Sequence, residues 1–369
     1  MNQNEESIAI LLSQLKETMP YFMRMEKLNL LRDLSKKENK TDVLRATCRG
    51  QIKLINAHMK DLKDDEKLKA YNFLRDAHTD NGRYDLESYL IAMEWDRKPE
   101  KRFYQPRMKV LHPVMKDLQD LGDGVIDIYL LSMPPRIGKS TIGLFFMSWL
   151  AGRYPNEHIF GAGYASGLVN TFCKGVLDFI DSEEYRFYDI FPEARGKLTT
   201  SAKDMTIDIW ENERYKTLTF RSIDGQITGA LEAESLLYLD DMCSGIEEAM
   251  NIDRLEKLWS KVTVDLMQRR VMNKRTGRLA PILGIGTIWS VHDPISRLER
   301  KYGKTKRFRS RKMPALNLDG ESNFDYDYNV GYTTAMYQEL KSNMDEVSWE
   351  CVYQQNPMER DGLLFPGSE

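Results

Sequence analysis

The chain has 369 residues, 41% of them hydrophobic, a length better divided between two units than packed around one core. A formal net charge of −3 gives no global electrostatic case for nucleic acid, so any such contact has to come from a local basic surface. The four cysteines, Cys48, Cys173, Cys243 and Cys351, show no C-x-x-C and the five histidines do not cluster, which argues against a disulfide frame or zinc site and fits a reducing compartment. No signal peptide opens the chain and no apolar run is long enough to span a bilayer, so a soluble cytoplasmic protein without membrane contact is expected.

Residues 1–98 read as an all-helical N-terminal segment. Ile8, Leu11, Leu12 and Leu15 fall at i, i+3, i+4 and i+7, and a second apolar stripe runs through Leu28, Leu31 and Leu34. Dense mixed charge follows at Lys60-Asp-Leu-Lys-Asp-Asp-Glu-Lys-Leu-Lys69, which reads either as a docking arm or as the solvated face of a small bundle.

The texture changes near Pro99, where an α/β core predicted over 99–320 begins. Phe103-Tyr104-Gln105-Pro106 precedes a helical stretch from Met108 to Leu121. Ahead of a phosphate loop, Tyr104 and Gln105 are candidates to stack on an adenine ring and read its edge, although any turn can carry Tyr-Gln-Pro. The β-branched run Val125-Ile-Asp-Ile-Tyr-Leu-Leu131 then leads into Ser132-Met-Pro-Pro-Arg-Ile-Gly-Lys-Ser-Thr141, followed by the apolar helix Ile142 to Leu150. Strand, tight loop with Gly-Lys-Ser, and helix form the context of a phosphate-binding loop. Backbone N–H groups and the helix dipole favour an anion there. Pro135, Arg136, Ile137, Gly138, Lys139, Ser140 and Thr141 are therefore the candidate ATP-binding residues, with Lys139 reaching the β/γ-phosphates and Ser140 ligating Mg²⁺. The pattern is imperfect: Met133 stands where a first Gly is usual, and Pro134 and Pro135 have no N–H, so the donors start at about Ile137.

Glu157-His-Ile-Phe-Gly-Ala-Gly-Tyr164 reads as a second buried strand, with a helix from Ser166 to Ile180 behind it. Met205 to Trp210 and Lys216 to Arg221 alternate in period two, as a hairpin turning near Asn212. Gly225-Gln-Ile-Thr-Gly229 is a glycine-bounded loop. Ser235-Leu-Leu-Tyr-Leu-Asp-Asp241 is an apolar strand ending in two acids, which a parallel sheet delivers to its carboxyl edge beside the phosphate loop. Asp240 is the candidate Mg²⁺ residue and Asp241 the candidate that polarises the attacking water; a plain helix cap is the bland alternative. A long charged helix is expected over 246–270. Pro281-Ile-Leu-Gly-Ile-Gly-Thr287 is another buried strand, and Thr287 at its end can hydrogen-bond toward the γ-phosphate or the water. His292 has no partner to suggest catalysis. The basic run 301–312 reads as an edge strand with cations on one face, equally a phosphate-backbone contact or a guard against edge pairing. Residues 321–369 read as a helical linker.

With the Pro-Pro-Arg-Ile-Gly-Lys-Ser-Thr loop, Ile227-Thr-Gly229, Leu239-Asp-Asp241 and Gly286-Thr-Ile-Trp289 in this order, the chain resembles the large terminase subunit of tailed bacteriophages from about Phe103 to Phe365. Gly163-Tyr-Ala-Ser166 and Tyr353-Gln-Gln-Asn-Pro357 are similar to the family as well. The resemblance implies an additional-strand, RecA-like P-loop ATPase that drives double-stranded DNA into a procapsid. It also implies a homo-oligomeric ring on the portal protein, working with the small terminase subunit in the bacterial host cytoplasm. Arg136 becomes the loop arginine that contacts the γ-phosphate in cis, and Thr287 falls in the motif coupling hydrolysis to movement. Three departures stand out. The acid pair is Asp-Asp where many relatives have Asp-Glu; Thr228-Gly-Ala-Leu231 lacks the arginine offered to a neighbouring subunit, leaving Arg221 or another surface arginine; and Ile288 stands where Arg is frequent. The nuclease domain of such proteins is not expected here, since the sequence stops at Gly362-Leu-Leu-Phe-Pro-Gly-Ser-Glu369, about where it begins. The rival readings are another P-loop translocase or helicase, and a non-motor assembly protein that holds ATP as a structural ligand.

Overall fold

A computed structural model of the chain describes residues 3–223, 225, 231–243 and 245–357. The Ile227-Thr-Gly229 loop and the terminal 362–369 stretch lie outside the described residues, as does all of 228–231 except Leu231. Among the described residues, one compact unit comprises 3–97 together with 183–192, and the other comprises 98–182 together with 193–357.

The first unit is helical: α1 (Gln3–Gln14), α2 (Tyr21–Lys37), α3 (Thr41–His58), α4 (Asp64–Gly82) and α5 (Leu86–Met93), with a short helix, Phe187–Ile190, from the second segment. Of the first stripe, Ile8 and Leu11 are buried against Leu31, while Leu12 is exposed. Leu28 packs with Met25, Leu54, Ile55 and Ala70, so the second stripe faces the core through α2 and α3. The charged run opens α4. Asp64, Asp65 and Glu66 occupy its first turn, where acids complement the helix dipole, and Glu66 accepts the Lys63 N–H at 2.9 Å. Asp85 caps α5 through the Ser88 N–H at 2.8 Å.

The second unit is built on one sheet. Its strands are β1 (Ile128–Ser132), β2 (Ile159–Gly163), β3 (Thr199–Ser201), β4 (Thr206–Asp208), β5 (Leu218–Ser222) and β6 (Leu236–Asp240). A small hairpin of β7 (Met272–Asn273) and β8 (Arg278–Leu279) stands apart, and β9 (Ile282–Gly286) and β10 (Phe308–Lys312) complete the main sheet. The order across the sheet is β10-β1-β9-β6-β2-β5-β4-β3. From β10 to β5 every neighbour is parallel; β4 and β3 are antiparallel additions at one edge. The α/β expectation holds, and β9 is the strand inserted between β1 and β6. The predicted hairpin is β4–β5, with Ile207 opposite Leu218; β3 escaped notice because Thr-Thr-Ser has no apolar alternation.

Buried parallel strands need cover on both faces, which explains why β1, β2, β6 and β9 are buried at every position. The covering helices include α6 (Tyr104–Gly122), α7 (Lys139–Arg153), α8 (Ser166–Asp181), α9 (Ile252–Ser260) and α10 (Pro294–Tyr302), and α11 (Thr334–Ser342) follows. Period-two alternation sorts the strand residues. Leu237 and Leu239 of β6 share a cluster with Leu255, Leu258 and Leu298, whereas Tyr238 meets Phe172 of α8 edge-on at 5.9 Å. The helix expected over 246–270 is broken. A short turn, Ile246–Ala249, ends before Asn251, whose side chain accepts the Arg254 N–H at 3.0 Å and restarts the chain as α9; a π-helical stretch, Lys261–Leu266, follows.

Candidate nucleotide site

The loop after β1 ends at Gly138, which caps α7 with φ +96°, a conformation open to glycine. A Cβ there would lie 2.6 Å from the Phe103 ring, so both backbone and space demand glycine. Arg136 is also left-handed, with φ +64°, and is exposed at the rim. Among the described residues it makes no ion pair, so its charge is available to a ligand. Ile137, 4% exposed, points inward and anchors the loop.

Lys139, on the first turn of α7, is 6% exposed. Its ammonium donates to Thr287 Oγ1 at 2.6 Å and to the Pro134 carbonyl at 3.3 Å. Burial pushes its pKa down, and the charges of Asp241 and Asp240 pull it back up. Pro134 thus gives no N–H but supplies a carbonyl that holds the lysine.

Asp240, the last residue of β6, shares a face with Tyr238 two positions earlier, and the tyrosine hydroxyl donates to Asp240 Oδ2. The Ser140 hydroxyl lies near the same carboxylate and, like that of Tyr238, favours its charged form. Burial, followed by the charge of Asp241, raises the Asp240 pKa above the usual carboxylate range. Its Oδ1 is buried with no hydrogen-bond partner. A buried carboxylate oxygen without a donor, beside a serine hydroxyl and a second acid, fits a hard divalent cation such as Mg²⁺.

Asp241 turns the chain out of the strand with φ +41°, a strained region that Asp tolerates better than most residues. Its N–H donates to the Ile285 carbonyl at 3.0 Å, and its Oδ1 accepts the Thr287 N–H at 3.1 Å. Thr287 therefore touches both the loop lysine and the second acid. The register explains this: β9 pairs Gly286 with Ser132 on one side and Ile285 with Asp240 on the other. The next residue along β9 falls between the two loops.

A cavity of about 720 Å³ opens at this carboxyl edge of the sheet. Pro135, Arg136, Gly138, Lys139, Ser140, Thr141, Asp241 and Thr287 line it. Asp240 lies out of the lining, fully buried. Tyr164, Ala165, Leu168, Cys243 and Trp289 complete the wall. No role was expected for these five. Four of them lie within three residues of the end of β2, β6 or β9, and the carboxyl ends of parallel strands are where ligands bind.

Two expectations need correction, and a third is displaced. Tyr104 is fully buried at the start of α6, and neither it nor Gln105 lines the cavity; Gln105 Oε1 accepts from Arg102. An enclosed ring has no free face for a base, and the aromatic that abuts the loop is Phe103. The second half of the basic run is also committed to acids, while Lys301, Lys304 and Lys306 stay exposed. Arg309 pairs with Asp117 at 2.6 Å and Asp120 at 2.7 Å, Arg311 with Asp117 at 2.6 Å, Arg307 with Asp127 at 3.0 Å and Lys312 with Glu299 at 2.8 Å. Asp117 is nearly buried, so these arginines neutralise an acid that would otherwise be stranded. Arg221 donates to the Phe220 carbonyl at 2.8 Å and to that of Asp204, which ties it to its own hairpin.

No protein-family model and no curated protein matches the chain. Among solved structures it is similar to the crystal structure of the HK97 bacteriophage large terminase, at 12% identity and a TM-score of 0.45. The match covers 66% of this chain and 50% of that one, so the chain matches half the length of that terminase. No helix among the described residues is long and apolar enough to cross a membrane.

Proposed function

We propose that the chain is the ATPase portion of a DNA-packaging motor, hydrolysing Mg·ATP to move double-stranded DNA into a procapsid. The observation that supports this best is the convergence of Lys139, Asp241 and Thr287 on one cavity that Ser140 also lines, with Asp240 buried next to Asp241. Backbone N–H groups from Ile137 onward and the start of α7 receive the phosphates, and Lys139 supplies a positive charge with little water to screen it. Ser140 and Asp240 are the residues to hold Mg²⁺, which when bound neutralises charge on the β- and γ-phosphates. Asp241 is fixed through Oδ1 by the Thr287 N–H, leaving Oδ2 to accept a hydrogen bond from the attacking water. Arg136, exposed and without an ion pair among the described residues, swings over the γ-phosphate in cis. Assembly as a ring with the portal and small subunit belongs to the same reading, which rests on the ordered motifs of the sequence.

Steady-state phosphate release with and without duplex DNA tests it, together with Mg·ATP binding. Lys139→Ala should abolish binding, and Asp241→Asn should bind yet turn over roughly 10²-fold slower or worse. Wild-type turnover in Asp241→Asn would remove the proposed water-orienting group. Nucleotide binding without DNA-stimulated turnover would refute the motor and leave ATP as a structural ligand.

A further inference from the structure

With the arginines of β10 engaged inward, cations outside any ion pair among the described residues lie one element earlier, Arg300 included, whose guanidinium also donates to the Val291 carbonyl. Arg300 and Lys301 on α10 and Lys304 and Lys306 in the loop before β10 form no ion pair among the described residues, and Arg300, Lys301, Lys304 and Lys306 are all exposed. The acids closest to hand are already taken: Glu299 by Lys312 at 2.8 Å, and Glu256 by both terminal nitrogens of Arg297, one at 2.9 Å. An open depression of about 320 Å³ lies between α9 and α10, with Trp259 in its wall. The Arg297 guanidinium and the Lys301 ammonium each stand 5.9 Å from the Trp259 ring centroid. Cations already occupy the indole, so the surface offers positive charge and no open ring for base stacking.

The position of this surface matters as much as its charge. The segment from Thr287 runs directly into α10, and it is held stiff. Asp293, fully buried, accepts from the N–H groups of Trp289 at 2.9 Å, Ser290 at 3.3 Å and Ser296 at 2.8 Å. The helix bearing the cations is thus capped onto the strand end whose threonine touches the phosphate-loop lysine.

We infer that the face formed by Arg300, Lys301, Lys304 and Lys306, beside Trp259, is the surface that holds the phosphate backbone of duplex DNA. The inference rests on the motor reading above. Fluorescence anisotropy of a short labelled duplex, titrated with potassium chloride, tests it. Arg300→Ala/Lys301→Ala/Lys304→Ala should weaken binding roughly 10- to 100-fold and flatten the salt slope by about 2 to 3, near one unit per lost phosphate contact. Lys304→Glu/Lys306→Glu, confined to the exposed loop, gives the same direction of change should the triple variant melt early. Lys53→Ala/Lys60→Ala/Lys69→Ala, exposed lysines of the helical unit, should leave affinity unchanged. Equal loss in that control, or wild-type affinity in both surface variants, overturns the surface while the motor reading stands. A wild-type chain that binds Mg·ATP but no duplex overturns the surface and the DNA motor together, leaving a nucleotide-binding protein.

Discussion

Gly143→Ala asks whether Asp240 is held in place by the packing around Tyr238. In an exposed helix the change would stabilise by about 1 kcal/mol, because glycine is the poorer helix former. Here a Cβ at 143 would lie 2.6 Å from Tyr238 Cζ and 2.7 Å from Cε2. Tyr238 is fully buried in the central strand β6 and cannot give way without moving its neighbours. Overpacking of this kind costs about 1–3 kcal/mol. Shifting the ring also loosens its hydrogen bond to Asp240, a bond to a charged group of about 1.5–3 kcal/mol. The net expectation is a loss of about 3 kcal/mol in urea unfolding, against the sign that helix propensity predicts. Tyr238→Phe removes the hydroxyl, so the double variant should recover part of the loss, and a double-mutant cycle measures the coupling. An equally or more stable Gly143→Ala would refute the packing argument. Strict additivity in the cycle would refute the link to Tyr238.

Three further outcomes follow from the same geometry. Arg136→Ala should retain Mg·ATP binding but lose on the order of 10³ in turnover, the scale of an arginine acting on the γ-phosphate; unchanged turnover would remove Arg136 from the chemistry. Gly138→Ala meets both a left-handed backbone and the Phe103 ring, and a cost of about 1–3 kcal/mol at the loop should weaken nucleotide binding by about one to two powers of ten in calorimetry. His78 is 6% exposed in α4, and burial pushes its pKa down to about 4. The unfolded chain binds that proton from about pH 6.5 downward and the folded chain does not, so stability is complete above pH 6.5 and falls as pH drops toward 4, by about 3 kcal/mol in all. Melting curves of wild type and His78→Leu between pH 4 and 7.5 should diverge in that window, and parallel curves would exclude His78 as the source.

What could be read from the linear chain was local. Gly138 before Lys139 and Ser140, the acids closing β6, and the apolar runs of β1, β2, β6 and β9 are signals of neighbouring residues and short periods, and each element formed where those signals stood. Local signals also misled. Tyr104 looked like a base-stacking residue because it stands beside Gln105 ahead of the Lys139 loop, yet the fold buried it. The basic stretch around β10 looked free because Asp117, Asp120 and Asp127, its partners, are far away in sequence. The helix expected over 246–270 ran through Asn251, because the side chain that starts a new helix there reads as one more polar residue until it is seen to accept the Arg254 N–H.

The sequence by itself determined the loop before α7 and the acids that close β6, since loop conformation, capping and strand alternation depend on residues close in the chain. The tertiary structure alone decided their assembly. Nothing in the order of residues says that β9 enters between β1 and β6, yet that insertion places Thr287 within 2.6 Å of Lys139 Nζ and its N–H 3.1 Å from Asp241 Oδ1. Strand order follows from which faces bury together, a sum over distant contacts, and it also left Arg300, Lys301, Lys304 and Lys306 without an ion pair among the described residues. The loop and helix around Gly138, Lys139 and Ser140 were legible from the start; the threonine that joins them to the acid pair took its place only when the sheet closed around it.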